Sequence, residues 1–249
     1  MKILALETTG KYGSAALIDD EGRIYCADSH DGMEHLREIM GSVESALDRA
    51  GCKKEDITHI AASVGPGSFT GIRIGVTVAR TFAQMKDIPC ISVSSLHAMA
   101  ERVKEDAAGN SCRIIAVIIN ARRHQVYAGV WEIEDRNLII RHVEKQYMIE
   151  ELLEMLASDE TVYFTGDGID AYEDIIKDSR SEDTYMLAGE DIRYQHASTV
   201  AKIALAKAKA GETIGYDELL PEYMRLAEAE QNLRAGTLSD KIKKITNTK

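Results

Sequence analysis

Cysteine is scarce in this chain and scattered along it. Cys26, Cys52, Cys90 and Cys112 form no CxxC pair, which argues against a structural zinc site and a disulfide framework and suits a reducing cytoplasm. Long apolar runs are missing too, and none approaches the roughly 20 residues that a membrane span needs. The apolar start Met1–Leu6 breaks at Glu7 with no small-residue cleavage site after it, so it reads as a first strand and not as a signal peptide. Positive charge is in deficit: 30 Lys and Arg stand against 41 Asp and Glu, a net charge of -11. So acidic a chain is poorly placed to neutralise a phosphate backbone by itself. Its one local basic cluster, Lys241, Lys243, Lys244 and Lys249, lies in the tail and reads as a frayed, solvated terminus. If RNA is involved, a partner carries most of the contact. The rest is ordinary for a globular protein: 249 residues, 45% hydrophobic and 29% charged, enough for one large or two small domains.

The pattern of elements reads βββαβα twice. Strands are predicted at 2–7, 13–19 and 23–28, then a helix from about Met33 to Ala50, a strand at 58–64, a helix from Phe69 to Met85, a strand from Pro89 to Val93 and a helix from Leu96 to Lys104. Ser94 or Ser95 can cap that last helix. After Gly109 the order recurs: strands at 113–119, 125–133 and 138–145, a helix at 148–157, a strand at 161–165, and helices at 169–178 and 198–210. No residue-level repeat accompanies it. Two similar α/β subdomains with mixed sheets follow, residues 1–108 and 109–231, hinged near Asp106 to Ser111 and trailed by a flexible basic tail, 232–249.

Gly65-Pro66-Gly67-Ser68-Phe69-Thr70-Gly71-Ile72-Arg73-Ile74-Gly75 joins a strand to a helix. Two readings compete. The glycines cradle an anion at a helix N-terminus, or they let backbones approach. The block lacks the Gly-Lys-[Ser/Thr] ending of a Walker loop, so no lysine reaches a terminal phosphate. Ser68 or Thr70 caps the helix, and Arg73 sits one turn into it. Beyond the loop, Gly71, Gly75, Ala79 and Ala83 recur every four residues and share one helix face. That face either docks another helix or packs within its own subdomain. The first helix offers a second apolar stripe, Leu36, Ile39, Met40 and Val43, with Met40 an adaptable contact. His35 has Ile39 one turn later, so no HxxxH pair holds a metal. Glu7-Thr8-Thr9-Gly10 occupies a turn that either holds phosphates on its N–H groups or is a plain hairpin. Arg122-Arg123-His124 fills another turn and either faces an acidic partner or is solvated. No nucleophile with its base is visible from spacing.

Taken in order, Leu4–Thr9, His35, Gly65–Gly75, Ser92–Leu96, Asn120-Ala121-Arg122 with Val126-Tyr127, and Pro221–Arg225 resemble the TsaB (YeaZ) family of bacterial tRNA threonylcarbamoyladenosine biosynthesis proteins. The resemblance covers nearly the whole chain, and the glycine block is its most specific part. It implies an actin-like ATPase (ASKHA, ribonuclease H-like) fold and a non-catalytic subunit without a tightly bound cofactor or metal. That subunit dimerises with the catalytic paralogue TsaD and recruits the ATPase TsaE. The assembled complex uses ATP and magnesium through those partners and modifies tRNAs reading codons that begin with A. It further implies that His35, Leu36, Ile39, Met40, Val43, Gly71, Ile72, Gly75, Ala79 and Ala83 dock the partner, or a second copy in its absence. Glu7, Thr8, Thr9, Gly67 and Ser68 would be a vestigial nucleotide or anion contact. Position 7 is Glu where the family commonly has Asp, and position 120 is Asn where Asp is usual. The competing reading is a stand-alone enzyme of the same fold, a sugar-kinase-like phosphotransferase or a peptidase.

Overall fold

The computed structural model describes residues 1–29 and 35–224, with side chains of α1 described from Glu38 onward. Three strands open the chain, β1 (Lys2–Glu7), β2 (Ser14–Asp19) and β3 (Ile24–Asp28), followed by α1 (His35–Arg49), β4 (His59–Gly65), α2 (Phe69–Lys86), β5 (Cys90–Ser94) and α3 (Ser95–Gly109). The second half repeats them as β6 (Ile114–Asn120), β7 (Gln125–Glu134), β8 (Asn137–Met148), α4 (Ile149–Met155), β9 (Val162–Thr165), α5 (Gly168–Ser179), β10 (Tyr185–Leu187) and α6 (Ala197–Lys209). The first sheet is ordered β3-β2-β1-β4-β5 and the second β8-β7-β6-β9-β10. In both, the first three strands are antiparallel and the last two parallel to the central one. The α/β class, the two mixed sheets and their duplication are thus as the sequence implies, in the layout of the actin-like ATPase fold.

The β1 sequence explains why its sheet is covered on both faces. Leu4 and Leu6 point into the core under α1 and α2, while Ile3 and Ala5 point into the core under α6. A strand buried on both sides must be apolar at every position, so it shows no alternation. The covering helices cross over. α3, from the first half, lays Leu96, Met99 and Val103 on Ile115, Val117 and Trp131 of the second sheet. α6, from the second half, packs Val200, Ala201 and Ala204 on the first. A division after residue 108 therefore separates the two sheets but not the two cores. α3 continues to Gly109, so most of the stretch read as a hinge is helix.

The cap residues follow their chemistry. Ser68 Oγ accepts the Gly71 N–H at 3.2 Å to start α2, and Ser94 Oγ accepts the His97 N–H at 3.3 Å to start α3. α6 is capped by His196: its ring accepts the Ser198 N–H. The short strand β10 escapes pattern reading because three residues carry no periodicity. Among the described residues, no helix is long and apolar enough to cross a membrane. The expected basic tail, 232–249, and the residues Met33 and Arg225 lie outside the described residues.

Candidate functional site

Two loops named by the sequence meet at the C-terminal ends of β1 and β4. Glu7 is fully buried at the end of β1. Its Oε1 accepts the Thr9 N–H at 2.6 Å and the Thr9 hydroxyl at 2.7 Å, and its Oε2 accepts the Ser63 hydroxyl. Burial pushes the Glu7 carboxyl above the usual range, and the bonds from Ser63 and Thr9 only partly oppose it. Ser63 was invisible to motif reading. Its signal is a hydroxyl two residues before Gly65 on an otherwise apolar strand.

The glycine block packs directly on this turn. The Ser68 N–H donates to the Thr9 carbonyl at 2.8 Å, and the Thr8 hydroxyl donates to the Gly71 carbonyl at 2.7 Å. A Cβ on Gly67 would collide with the Thr9 carbonyl oxygen, and one on Gly71 with that of Thr8. On Gly75 it would strike the Thr8 hydroxyl. Gly65, at φ 121, leaves room for a backbone carbonyl from Glu222. Each glycine is thus required by a neighbouring part of the same chain. The N–H groups of Thr9, Ser68, Gly71 and Ile72 are all spent on internal acceptors. Over the turn, the buried Gln195 lies against Gly10 with no room for a Cβ between them. The space beside Gly10, Gly67 and Gly71 and the N–H groups of Thr9, Ser68, Gly71 and Ile72 are thus taken by the chain itself.

The docking stripe is corrected by the same contacts. Ile39, Val43, Ile72, Ala79 and Ala83 lie in the core under α1 and α2, and Gly71 and Gly75 press on Thr8. A helix lying on a sheet turns its apolar stripe to the sheet, and small residues let α2 come close. These seven residues face inward and present no surface. Among the described side chains of the predicted set, only Met40, 42% exposed, points outward. α1 begins at His35, but the side chains of His35 and Leu36 lie outside the described residues. The outward faces carry Met40, Gly41 and Glu44 on α1, and Thr77, Thr81 and Met85 on α2. Met85 is 82% exposed.

In the second half, the equivalent turn holds Arg122, Arg123 and His124, all exposed and all with positive φ. Asn120 anchors it: its Oδ1 accepts the Arg122 N–H at 2.8 Å and the Tyr172 hydroxyl at 3.3 Å. The Asn120 N–H donates to Asp167 at 2.9 Å, a carboxyl that burial raises above its ordinary range.

One constellation that spacing concealed is assembled in space. Ser198 Oγ lies 2.6 Å from His196 Nδ1, and His196 Nε2 lies 2.8 Å from Asp28. It resembles a hydrolase triad but serves as a cap. The first N–H groups of α6, from Ala197, Ser198 and Thr199, go to Ser14, His196 Nδ1 and the His196 carbonyl. None is left there to hold an oxyanion. Burial depresses the His196 pKa, keeping the ring neutral as an acceptor. Beside it lies a cavity of about 260 Å³, lined in part by Tyr12, Arg102, Tyr194 and Gln195. Among the described residues no cluster of three or more His, Cys, Asp or Glu is placed to hold a metal.

The family model described as TsaD, tRNA N6-adenosine threonylcarbamoyltransferase, matches residues 31–238. The tRNA threonylcarbamoyladenosine biosynthesis protein TsaB of Bacillus subtilis is 31% identical over 92% of this chain and 96% of its own length. The chain belongs to the TsaB family. Through the matched model it also belongs to the wider TsaD family. The TsaB protein of Escherichia coli is 28% identical over 90% of this chain and 95% of its own. The structure of YeaZ from Pseudomonas aeruginosa superposes with a TM-score of 0.75 at 25% identity, covering 89% of this chain and 99% of that one. TsaB membership makes this a protein of tRNA threonylcarbamoyladenosine biosynthesis.

Proposed function

We propose that this TsaB-family chain is a non-catalytic scaffold subunit of the threonylcarbamoyl-transfer machinery. It pairs with the catalytic paralogue TsaD, the pair recruits TsaE, and the assembly acts in the cytoplasm on the anticodon-loop adenosine of tRNAs reading codons that begin with A. ATP and magnesium are handled by those partners, tRNA is held mainly by the assembly, and the free chain self-associates when TsaD is absent. The observation that carries this reading is the closed glycine block: Gly67, Ser68 and Gly71 spend their space and hydrogen bonds on Thr8 and Thr9. A fold that elsewhere binds nucleotides here uses the loop to hold itself together. Docking then falls to the outward faces of α1 and α2, where Met40 and Met85 stand exposed. Thioethers on a surface adapt to a partner's contour.

Two variants test the docking. Met85→Asp and Met40→Asp place a charge in the proposed interface, and each is expected to weaken binding to the catalytic paralogue at least tenfold, about 1.4 kcal/mol, by calorimetry. Their melting temperatures should match that of the parent, since both side chains are on the surface. Unchanged affinity in both variants would remove α1 and α2 as the docking face. The enzyme alternative is tested separately: tight binding and turnover of magnesium-ATP by the isolated chain would sink the scaffold reading.

A further inference from the structure

We infer that Ile214–Met224 is a strap with a releasable tip, latched by Arg73 and Tyr223, that ties the first sheet to the core of the second. The chain passes between the two sheets at two places. β5 runs straight into α3, which packs on the second sheet, and residues 188–196 lead back to α6 on the first. Two such crossings define a hinge, and the Ser94–Glu144 hydrogen bond of 2.7 Å sits at the first of them. A tie away from the crossings limits the swing further than the packing of α3 and α6 does.

The strap supplies that tie. Ile214 exchanges backbone hydrogen bonds with Cys90 on β5, at 2.8 and 2.9 Å. Leu219 is fully buried in the core under α1 and α2. The strap then crosses the glycine block: the Glu222 N–H donates to the Val64 carbonyl at 2.8 Å, and the Glu222 carbonyl fills the space that a side chain on Gly65 would need. Arg73 Nε donates to the Tyr223 hydroxyl at 2.7 Å. The same guanidinium lies 3.8 Å over the Phe69 ring, which packs 4.9 Å from the Tyr223 ring. Last, Met224 packs against the core formed by α3 and the second sheet.

The two parts are held differently. The anchor buries Leu219 completely. At the tip, Arg73, Phe69 and Tyr223 are all exposed, so the latch opens with little apolar area moved. Release uncovers Val64 and Gly65, withdraws Met224 and frees the hinge. Every contact of the strap is internal to the chain and requires no partner.

Amide hydrogen exchange on the full chain tests it, with the parent, Arg73→Ala and Tyr223→Phe. Tyr223→Phe keeps the ring and removes only the accepting hydroxyl. In both variants the Glu222 amide, bonded to the Val64 carbonyl, should exchange at least tenfold faster, and the first turn of α3, at the crossing, should also lose protection. Those of Ile214–Leu219, α1 and α2 should keep theirs. Unchanged exchange at the tip overturns the latch. Loss of protection along the whole strap at once overturns the division into anchor and tip. Faster exchange at the tip with α3 unaffected overturns the tie between the sheets.

Discussion

Gly71→Ala is expected to destabilise the chain by about 3 kcal/mol, at the upper end of what overpacking costs. For a chain of this size that lowers the melting temperature by roughly 6–12 °C. The added methyl would meet the carbonyl oxygen of Thr8, with the Ser68 Cβ a further 3.2 Å neighbour. Thr8 is buried on the turn after a fully covered strand, so its backbone has nowhere to go. Gly75→Leu should be at least as damaging, because the Thr8 hydroxyl occupies the site and already donates to the Gly71 carbonyl. Gly41→Ala is the control: it lies on the outward face of α1 with nothing within 4 Å of a new Cβ. Gly41→Ala should be neutral or gain up to about 1 kcal/mol from helix propensity. Urea denaturation of the three variants gives the answer. A Gly71→Ala protein as stable as the parent would mean that the stripe of α2 does not face the turn.

Glu7 gives the second large effect and one with a pH signature. Glu7→Ala removes the acceptor of the Thr9 N–H, the Thr9 hydroxyl and the Ser63 hydroxyl together. Leaving buried donors unpaired costs about 3 kcal/mol in all, even if part of the shell relaxes. Glu7→Gln keeps the shape and one acceptor, and its difference from the parent isolates the charge. The folded carboxyl is raised by burial, while in the unfolded chain it titrates near 4.3, roughly the free glutamate value. Between those two values the folded chain holds a proton that the unfolded chain has released. Stability from this group therefore rises as pH falls through the window and declines as pH rises through it, levelling off once Glu7 ionises in the fold. Urea midpoints from acidic to neutral pH should show that slope in the parent and lack its Glu7 share in Glu7→Gln. Identical slopes would mean that Glu7 does not carry the raised pKa.

The sequence went furthest where local chemistry decides. Strand β1 announces itself by an unbroken apolar run ending at a buried acid, and α1 by its stripe. The start of α2 is marked by Ser68 after a strand and a glycine turn. The order of strands and helices sufficed to imply two like sheets, since each turn and cap signal acts within a few residues. The family, too, was legible, because its motifs are short and in order. What the sequence left open were questions of facing. Period four on α2 says that Gly71, Gly75, Ala79 and Ala83 share a side; it carries no information on what lies opposite. Only the fold placed Thr8 there and turned an apparent docking stripe into core. Likewise, the exchange of α3 and α6 between sheets, the Ser63 partner of Glu7 and the clasp of Tyr223 on Arg73 join residues far apart in the chain, 56 positions for Glu7 and Ser63 and 150 for Arg73 and Tyr223. Periodicity and spacing are local properties of a chain. Which side of a helix meets water, and whether a glycine faces an anion or its own backbone, are decided by the global packing that brings distant segments into contact.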